Sequence, residues 1–229
     1  MTLGIMQPYF MPYIGYWQLL AAVDTYVVYD DVNYIKRGWI NRNNILVNGE
    51  SHMFTLSLNG ASQNKLINEI SILDDFQKFF KMIENAYHKA PYYNQVEPLL
   101  LEICRYHNLS LGDFMLHSFR MVLAYLGIST KLILSSSIEK DNSLRGTAKI
   151  KQICHLLGAD TYYNAIGGQA LYDKDDFAAE GLTLHFLQIN QFEYKQFKNE
   201  FVPNLSFIDV LMFNSPEQVL GMLKEYTLV

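Results

Sequence analysis

The first 29 residues carry a strand, a turn, a helix and a second strand in succession. The apolar run at residues 3–6 predicts a buried strand that ends before Pro8, because proline cannot extend a strand ladder. From Ile14 apolar residues recur at helical spacing, and a second apolar run follows at residues 26–29. Two strands joined by one helix favour a right-handed βαβ unit with parallel strands. We therefore predict an α/β fold built on a mostly parallel, Rossmann-like sheet.

A second strand, helix and strand follow later in the chain, at residues 131–134, about 143–157 and 161–164. Three helical patterns lie between the two units, at about 75–90, 94–106 and 111–126. They predict a helical insertion, a subdomain at about 75–127 within one domain that spans residues 1–229. Half of the side chains are hydrophobic, which is enough apolar surface for a large common core.

Local signals place several further elements. Asn48-Gly49 predicts a tight hairpin turn between strands at residues 45–47 and 54–58. Residues 182–187 form another strand candidate, and a helix is expected to start near Pro203. Ser215 followed by Pro216 predicts the start of the last helix, because these residues favour the N-cap and the first helical position.

Charge and composition limit the classes of partner. The net charge of −5 argues against nucleic acid, whose phosphates attract basic surfaces. No basic and apolar leader precedes Pro8, and no apolar run is long enough to span a membrane, so we expect a cytoplasmic protein. The six histidines lack the spacing of metal ligands, and we predict no metal site among them. The expected partner is a small molecule, while the oligomeric state is left open.

The turn at residues 7–16 is the first candidate for a binding site. It follows the first strand and opens the first helix, the position where ligands and phosphates bind in parallel α/β sheets. Gln7, Tyr13 and Tyr16 offer polar groups there, and Gly15 would let a ligand approach the backbone closely. The alternative is a rigid turn that is packed by its own aromatic rings.

The second candidate is the polar run at residues 30–43, which follows the second strand. The residues expected to contact a ligand there are Lys36, Trp39, Asn41, Arg42 and Asn43. We predict that Arg42 is the main anion contact, because its planar guanidinium can bind a phosphate or carboxylate through two hydrogen bonds. The alternative is a solvated loop. Both candidates follow strands of one βαβ unit, so we expect them to face one cleft.

Three residues are candidates for catalysis. Asp30 and Asp31 follow the second strand, where carboxylates can hold Mg²⁺ or a substrate amine, or can simply form a turn. Arg145 stands before a predicted helix, where it can hold an anion together with the helix N-terminus, or can be a solvated surface charge. Gly167 and Gly168 either allow close approach of a ligand or only turn the chain.

The whole chain resembles a known family. The resemblance is carried by Gln-Pro-Tyr-Phe-Met-Pro-Tyr-Ile-Gly-Tyr-Trp-Gln at residues 7–18 and by the block at residues 29–44. Leu-Gly-Ala-Asp-Thr-Tyr at residues 157–162, the Gly167-Gly168 pair and Pro-Asn-Leu-Ser at residues 203–206 complete it. These blocks resemble the WbqC-like protein family. The resemblance implies a role in the biosynthesis of surface polysaccharides.

The turn also has a weaker resemblance to the His-x-Gly-His segment of nucleotidyltransferases and pantothenate-synthetase-like ligases, with Tyr13 and Tyr16 in place of the two histidines. That likeness implies ATP with Mg²⁺ as the cofactor and a nucleotide or nucleotide sugar as the ligand. Together the resemblances favour a transferase or ATP-dependent ligase that modifies an activated amino sugar. The alternatives are a noncatalytic module that binds a sugar or nucleotide on an aromatic platform, and a nucleotidyltransferase.

Overall fold

The computed structural model describes residues 1–106, 110–198 and 200–229. Its strands are β1 Thr2–Met6, β2 Thr25–Val28, β3 Arg42–Val47, β4 Glu50–Thr55, β5 Leu58–Asn59, β6 Ser71–Ile72, β7 Lys131–Leu134, β8 Thr161–Ala165, β9 Thr183–Ile189 and β10 Tyr226–Leu228. Its helices are α1 Ile14–Ala21, α2 Gln77–Tyr87, α3 Tyr93–Cys104, α4 Leu111–Leu126, α5 Gly146–Leu156, α6 Lys174–Ala178, α7 Phe207–Phe213 and α8 Pro216–Met222. The predicted boundary between α3 and α4 includes residues 107–109, which lie outside the described ranges.

A six-stranded sheet in the order β10-β9-β8-β1-β2-β7 forms the centre of the fold. The strands from β9 to β7 are parallel, and β10 alone in this sheet runs antiparallel, against β9. The prediction of an α/β fold with a mostly parallel, Rossmann-like sheet is confirmed. The prediction did not include β10, whose three residues are too few to give a periodic signal.

The sheet buries both faces, as the apolar runs of its strands require. Tyr26 and Val28 of β2 pack on the side of α1 and α4, whereas Val27 packs on the side of α5. Trp17 of α1 is fully buried and stacks on Phe207 of α7, with 4.9 Å between the ring centroids. Full burial of one such large apolar side chain stabilises the fold by roughly 1.5–3 kcal/mol, so these positions fix where α1 lies.

The hairpin between β3 and β4 differs in extent from the prediction. Asn48 and Gly49 form its turn with φ angles of 53° and 84°, the left-handed conformation that this dipeptide favours. β3 already begins at Arg42, which is opposite Thr55 on β4, and β4 begins at Glu50. The end of the polar run is therefore strand rather than loop, because pairing along the hairpin continues past the apolar residues.

The C-terminal elements follow their capping residues. Ser215 Oγ accepts a hydrogen bond from Gln218 N, and Gln218 Oε1 accepts one from Ser215 N, so the predicted start of α8 is correct. α7 begins at Phe207 rather than near Pro203, because Ser206 is its N-cap and accepts from Ile208 N. In the part of the chain that the structure describes, no helix is long and apolar enough to cross a membrane.

Candidate functional site

Two of the cavities near the carboxyl ends of the parallel strands contain residues that the sequence predicts as site residues. The cationic cavity has a volume of about 630 Å³ and is lined by Tyr29, Asp31, Val32, Asn33, Leu66, Asn68, Ser136, Lys140, Asn142, Arg145, Gly146, Lys149, Ile150 and Tyr172. The aromatic cavity, of about 210 Å³, is lined by Tyr9, Pro12, Tyr13, Trp39, Asn43 and Asn204. The two sets of lining residues have no member in common.

Two buried lysines share one carboxylate in the cationic cavity. Asp31 follows β2, and its Oδ2 lies 2.8 Å from Lys140 Nζ and 3.1 Å from Lys149 Nζ. The side chains of Lys140, Lys149 and Asp31 are only 1%, 4% and 9% exposed. Lysine is rarely buried without a partner, because removing its charge from water is costly. Two lysines against one carboxylate leave this cluster with one positive charge in excess.

The start of α5 adds to the positive potential of the cationic cavity. Gly146, the first residue of α5, has a φ of +53°, and Lys149 lies in the first turn. Arg145 is the exposed N-cap, and its Nη1 donates to the carbonyl oxygens of Asn142 and Leu144. A helix N-terminus carries a partial positive charge and free N–H groups. This end of the cavity is therefore suited to an anion.

The charges of this cluster affect its acidic groups. Burial disfavours the charged form of Asp31, but the contacts with Lys140 and Lys149 outweigh burial and lower the pKa of its carboxyl group. Burial, followed by the charge of Asp31, raises the pKa of Tyr29 to about 12. Lys149 Nζ lies 5.4 Å from the Tyr29 ring centroid. Asp31 is therefore ionised near neutral pH, whereas the Tyr29 hydroxyl keeps its proton.

Asp30 has a different environment from its neighbour. Its Oδ1 accepts from Ser136 N at 2.9 Å, and its Oδ2 accepts from Ser136 Oγ at 2.6 Å. The residue is 1% exposed, and burial raises the pKa of its carboxyl group despite these hydrogen bonds. Asp30 is absent from the cavity lining and instead joins the segment after β2 to the segment after β7. Of the three predicted catalytic residues, Asp31 and Arg145 share the cationic cavity and Asp30 supports it.

The N-terminal turn and the polar run meet at the aromatic cavity. Phe10 N donates to Ile40 O at 2.9 Å, and Asn43 Nδ2 donates to Met11 O at 2.7 Å. Tyr13 and Trp39 contribute rings to the cavity, so three of the predicted binding residues, Tyr13, Trp39 and Asn43, lie together. They do not share a cavity with Asp31 or Arg145. The two predicted segments thus form one cavity, and the charged groups form another.

Several other predicted binding residues serve the local structure. Tyr16 is 1% exposed and its hydroxyl donates to Gln7 O. Gly15 is covered by the Tyr13 ring, because a Cβ added at Gly15 would lie 2.5 Å from Tyr13 Cε2. Asn41 is buried, with its amide bonded to the Tyr34 hydroxyl and to Leu56 O. These contacts explain why the turn requires a glycine and a second tyrosine.

The remaining predicted residues lie outside both cavities. Lys36 is exposed on the polar run, and Gly167 is exposed after β8. Gly168 is buried, and a Cβ added there would lie 2.3 Å from Asn164 Nδ2, so the glycine is required by packing against Asn164. Arg42 Nε donates to Gly38 O at 2.8 Å, and its guanidinium carbon lies 5.8 Å from the Trp39 ring centroid. Arg42 therefore contacts Trp39, which lines the aromatic cavity, but neither cavity lining includes Arg42 itself.

Lys140 and Lys149 were absent from the sequence predictions. Lys140 follows β7 in a loop that carries no distinctive pattern. Lys149, however, precedes Ile153 by four positions and therefore shares the buried stripe of α5 with Ile150, Ile153 and Cys154. A lysine at a core-facing helical position indicates a buried charge with a partner, and this signal was available in the sequence.

The donors of the cationic cavity fit phosphate better than Mg²⁺. Both oxygens of Asp30 accept from Ser136, and Asp31 is already neutralised by Lys140 and Lys149. Hard divalent cations require several free oxygen ligands. Within the described ranges, no group of three or more histidine, cysteine or acidic side chains converges as a metal site. Ammonium and guanidinium groups are instead the usual partners of phosphate.

The fold and the edge of its sheet define the class first: an α/β protein with a Rossmann-like sheet and a polar cavity at the carboxyl ends of its strands. Comparison with known proteins narrows the class, because the model of the WbqC-like protein family matches residues 7–220. The chain belongs to the WbqC-like family. It is also 28% identical over 219 residues to the uncharacterized protein Rv1507c of Mycobacterium tuberculosis, covering 92% of each chain. No solved structure matches the chain.

Proposed function

We propose that this protein is a transferase or ligase that acts on an activated sugar during the synthesis of surface polysaccharide precursors, and that the cationic cavity binds the phosphate groups of that substrate. The observation that carries the proposal is the pair of buried lysines, Lys140 and Lys149, which share the single carboxylate of Asp31. The reaction belongs in the cytoplasm, where activated sugars and ATP are available.

The charge balance supports a phosphate as the ligand. A structural ion pair needs one lysine for each carboxylate, and a second buried ammonium group remains costly unless an anion compensates it. Asp31 brings the two ammonium groups to the same wall, and the N-terminus of α5 faces the same cavity. A phosphate between Lys140, Lys149 and the first turn of α5 would supply the missing negative charge.

The same groups suit the chemistry of activated sugars and acyl phosphates. When such a group is transferred, negative charge develops on the leaving phosphate, and fixed cations stabilise it most strongly in a site sheltered from water. Arg145 lies at the exposed end of the cavity, where its guanidinium can contact a phosphate during binding and release. Tyr29 and Tyr172 provide ring walls for the part of the substrate that carries no charge.

The cavity has room for a nucleotide. Its volume of about 630 Å³ lies within the range of ~300–1,000 Å³ that is typical of small-molecule sites. Coupling of an acyl or amino acid group to an amino sugar would use ATP, whose Mg²⁺ would then enter on the phosphates rather than on Asp30 and Asp31. Nucleotide sugars and ATP are therefore the two ligand classes to compare.

Ligand-induced stabilisation tests the proposal directly. Thermal melts and calorimetric titrations use inorganic pyrophosphate, ATP with and without Mg²⁺, UDP-glucose and dTDP-glucose. A ligand at 100 times its Kd raises the free energy of unfolding by ~2.7 kcal/mol. In Lys149→Met we expect affinity for the stabilising ligand to fall at least tenfold, since a hydrogen bond to a charged group contributes roughly 1.5–3 kcal/mol.

Lys151→Met is the matched control. Lys151 lies on the same helix, but its Nζ contacts Asp176 at 3.0 Å and Glu180 at 2.6 Å outside the cationic cavity. We expect this variant to bind with unchanged affinity. Failure of every ligand to stabilise the protein would refute the proposal. Equal affinity in Lys149→Met and Lys151→Met would show that Lys149 does not contact the phosphate.

The alternatives are separated by turnover. A noncatalytic binding module would bind a nucleotide or nucleotide sugar and release it unchanged, whichever acceptor molecule is added to the assay. A nucleotidyltransferase would form pyrophosphate from a nucleoside triphosphate and a sugar phosphate, without an amino sugar. Release of phosphate or of a nucleoside diphosphate that depends on an amino-sugar acceptor would support the transferase or ligase.

A further inference from the structure

The aromatic cavity is built without charge. Its walls are the rings of Tyr9, Tyr13 and Trp39 together with Pro12, and its polar groups are the two tyrosine hydroxyls and the amides of Asn43 and Asn204. No charged side chain of the described residues lines it. Its volume of about 210 Å³ is below the ~300 Å³ at which sites for drug-sized ligands begin, so it suits a smaller ligand of a single ring.

The walls of the aromatic cavity are held rigidly. Met11 has a φ of +44°, an uncommon conformation for a residue with a side chain, and its carbonyl oxygen accepts from both Asn43 Nδ2 and Ser206 Oγ at 2.7 Å. Asn204, which lines the cavity, has a φ of +58°. Arg37, two positions before Trp39, has a φ of +59°. Such conformations persist where surrounding contacts enforce them, and they concentrate at functional sites.

The hydroxyls of Tyr9 and Tyr13 have no hydrogen-bond partner among the residues that the structure describes. Neither Tyr9 nor Tyr13 forms a side-chain hydrogen bond with another residue in the described ranges. Burial raises the pKa of both hydroxyls, so both stay protonated and can donate. Each of these hydroxyls can therefore exchange hydrogen bonds with a ligand that carries hydroxyl groups.

The amide groups favour a sugar over a nucleobase. Asn43 already donates one Nδ2 hydrogen to Met11 O and accepts from Asn44 N at Oδ1, which leaves only one donor and one acceptor site for the edge of a base. Only the Asn204 amide is left unpaired among the lining amides that the structure describes. A pyranose has a face of C–H groups that packs on aromatic rings and a rim of hydroxyls, which Tyr9, Tyr13 and Asn204 can meet.

We infer that the aromatic cavity is a second binding site, which takes one uncharged pyranose ring packed against Trp39. Trp39 is 46% exposed, and a sugar that covers its ring would bury apolar surface. The loss of side-chain conformational entropy on binding would be small, because the ring already contacts Arg42. The site does not depend on the reaction proposed for the cationic cavity.

Binding of simple glycosides to the full chain tests this inference. Saturation-transfer NMR uses methyl glucopyranoside, methyl galactopyranoside and methyl N-acetylglucosaminide, with adenosine as the nucleobase probe. We expect saturation transfer to at least one methyl pyranoside, with an affinity that falls at least about fivefold in Trp39→Ala because the stacking surface is lost. Tyr13→Phe, which removes only a hydroxyl, should weaken the same signal. It replaces Trp39→Ala as the test variant if thermal melts show that Trp39→Ala is destabilised.

Two control variants make the outcome specific. Leu171→Ala removes another exposed apolar side chain, 71% exposed and outside both cavities, and should leave glycoside binding unchanged. Lys149→Met should also bind glycosides normally, whatever becomes of its phosphate affinity. The inference is overturned if no methyl pyranoside binds, if Trp39→Ala binds as well as the parent, or if adenosine binds while the pyranosides do not.

Discussion

The cationic and aromatic cavities lie near the same edge of the sheet but are held together by different forces. The cationic cavity depends on charges from distant parts of the chain, since Asp31 and Lys149 are 118 residues apart. The aromatic cavity is assembled mainly from two segments near the N-terminus, joined by hydrogen bonds such as Phe10 N to Ile40 O. One depends on electrostatic pairing across the fold, and the other on backbone shape.

This difference predicts different responses to mutation. In the cationic cavity, removal of one partner leaves a buried charge, which costs far more than the pair itself contributes. In the aromatic cavity the ring of Trp39 projects from a scaffold that other residues hold, so it can be removed with little effect on folding. Stability should therefore report on the first cavity, and ligand binding on the second.

The largest expected effect is that of Asp31→Ala. Without the carboxylate, Lys140 and Lys149 face each other in a buried site, and the free energy of unfolding should fall by roughly 3–5 kcal/mol. Urea denaturation measures this change. Asp176→Ala is the control, because Asp176 also pairs with a lysine of α5 but is 52% exposed, so its loss should cost less than about 1 kcal/mol.

The pH dependence checks that charge is the cause. The pKa of Asp31 is lowered from 3.8 in the folded state, so between these values the native state binds fewer protons than the unfolded state. Its stabilising contribution is complete above the unfolded pKa and is lost as the pH falls through the folded pKa. The stability difference between the parent and Asp31→Ala should therefore shrink as the pH falls below about 4. A difference that does not depend on pH would mean that Asp31 acts through packing.

Local signals predicted most of the fold because they act within a few residues. Asn48-Gly49 defines a hairpin turn and Ser215-Pro216 a helix start, and both occur where expected. The site was harder to predict, because the direction of a side chain is decided by packing across the chain. Tyr13 and Tyr16 are equivalent in the sequence motif, yet Tyr13 lines a cavity and Tyr16 is in the core.

The cationic cavity shows the same limit. Asp31 and Arg145 were predicted from their places after a strand and before a helix, and they do share a cavity. Lys140 contacts Asp31 only because β7 pairs with β2, a pairing that no local pattern reveals. Pairings between distant strands decide which charges meet, and a single sequence carries little information about them.

Gly15→Ala should have an intermediate effect and tests how the aromatic cavity is supported. The new Cβ would lie 2.5 Å from Tyr13 Cε2, so the Tyr13 ring must move, at a cost of about 1–3 kcal/mol in the free energy of unfolding. Because Tyr13 lines the cavity, affinity for methyl pyranosides should fall as well. Parallel denaturation and saturation-transfer measurements separate the two effects.

Gly167→Ala is the control for this substitution. An added Cβ at Gly167 meets no atom within 4 Å, so its stability should change by no more than about 0.5 kcal/mol. Gly15→Ala with unchanged stability and lost binding would instead mean that a ligand contacts the backbone at Gly15, as the sequence motif suggests.

The smallest expected effect is that of Arg42→Lys, and it bears most directly on the comparison. The sequence predicts Arg42 as the anion contact, with at least a tenfold loss of anion affinity on replacement by lysine. Its guanidinium instead lies over Trp39, and its Nε bonds to Gly38 O, away from Lys140 and Lys149. A cation over an exposed aromatic ring contributes about 0.5–1 kcal/mol, and lysine keeps the charge but loses the planar contact, so only part of this energy is lost and glycoside affinity should fall by at most about two- to threefold.

Pyrophosphate affinity of Arg42→Lys should equal that of the parent, because Arg42 does not line the cationic cavity. Arg42→Ala, which also removes the charge, should give the same result for pyrophosphate and a further small loss for the glycoside. Calorimetry with pyrophosphate and saturation-transfer NMR with the methyl pyranoside provide the two measurements. A tenfold loss of pyrophosphate affinity in both variants would place the phosphate beside Trp39. The two cavities would then serve one anionic ligand, and their proposed division into a phosphate site and a sugar site would be wrong.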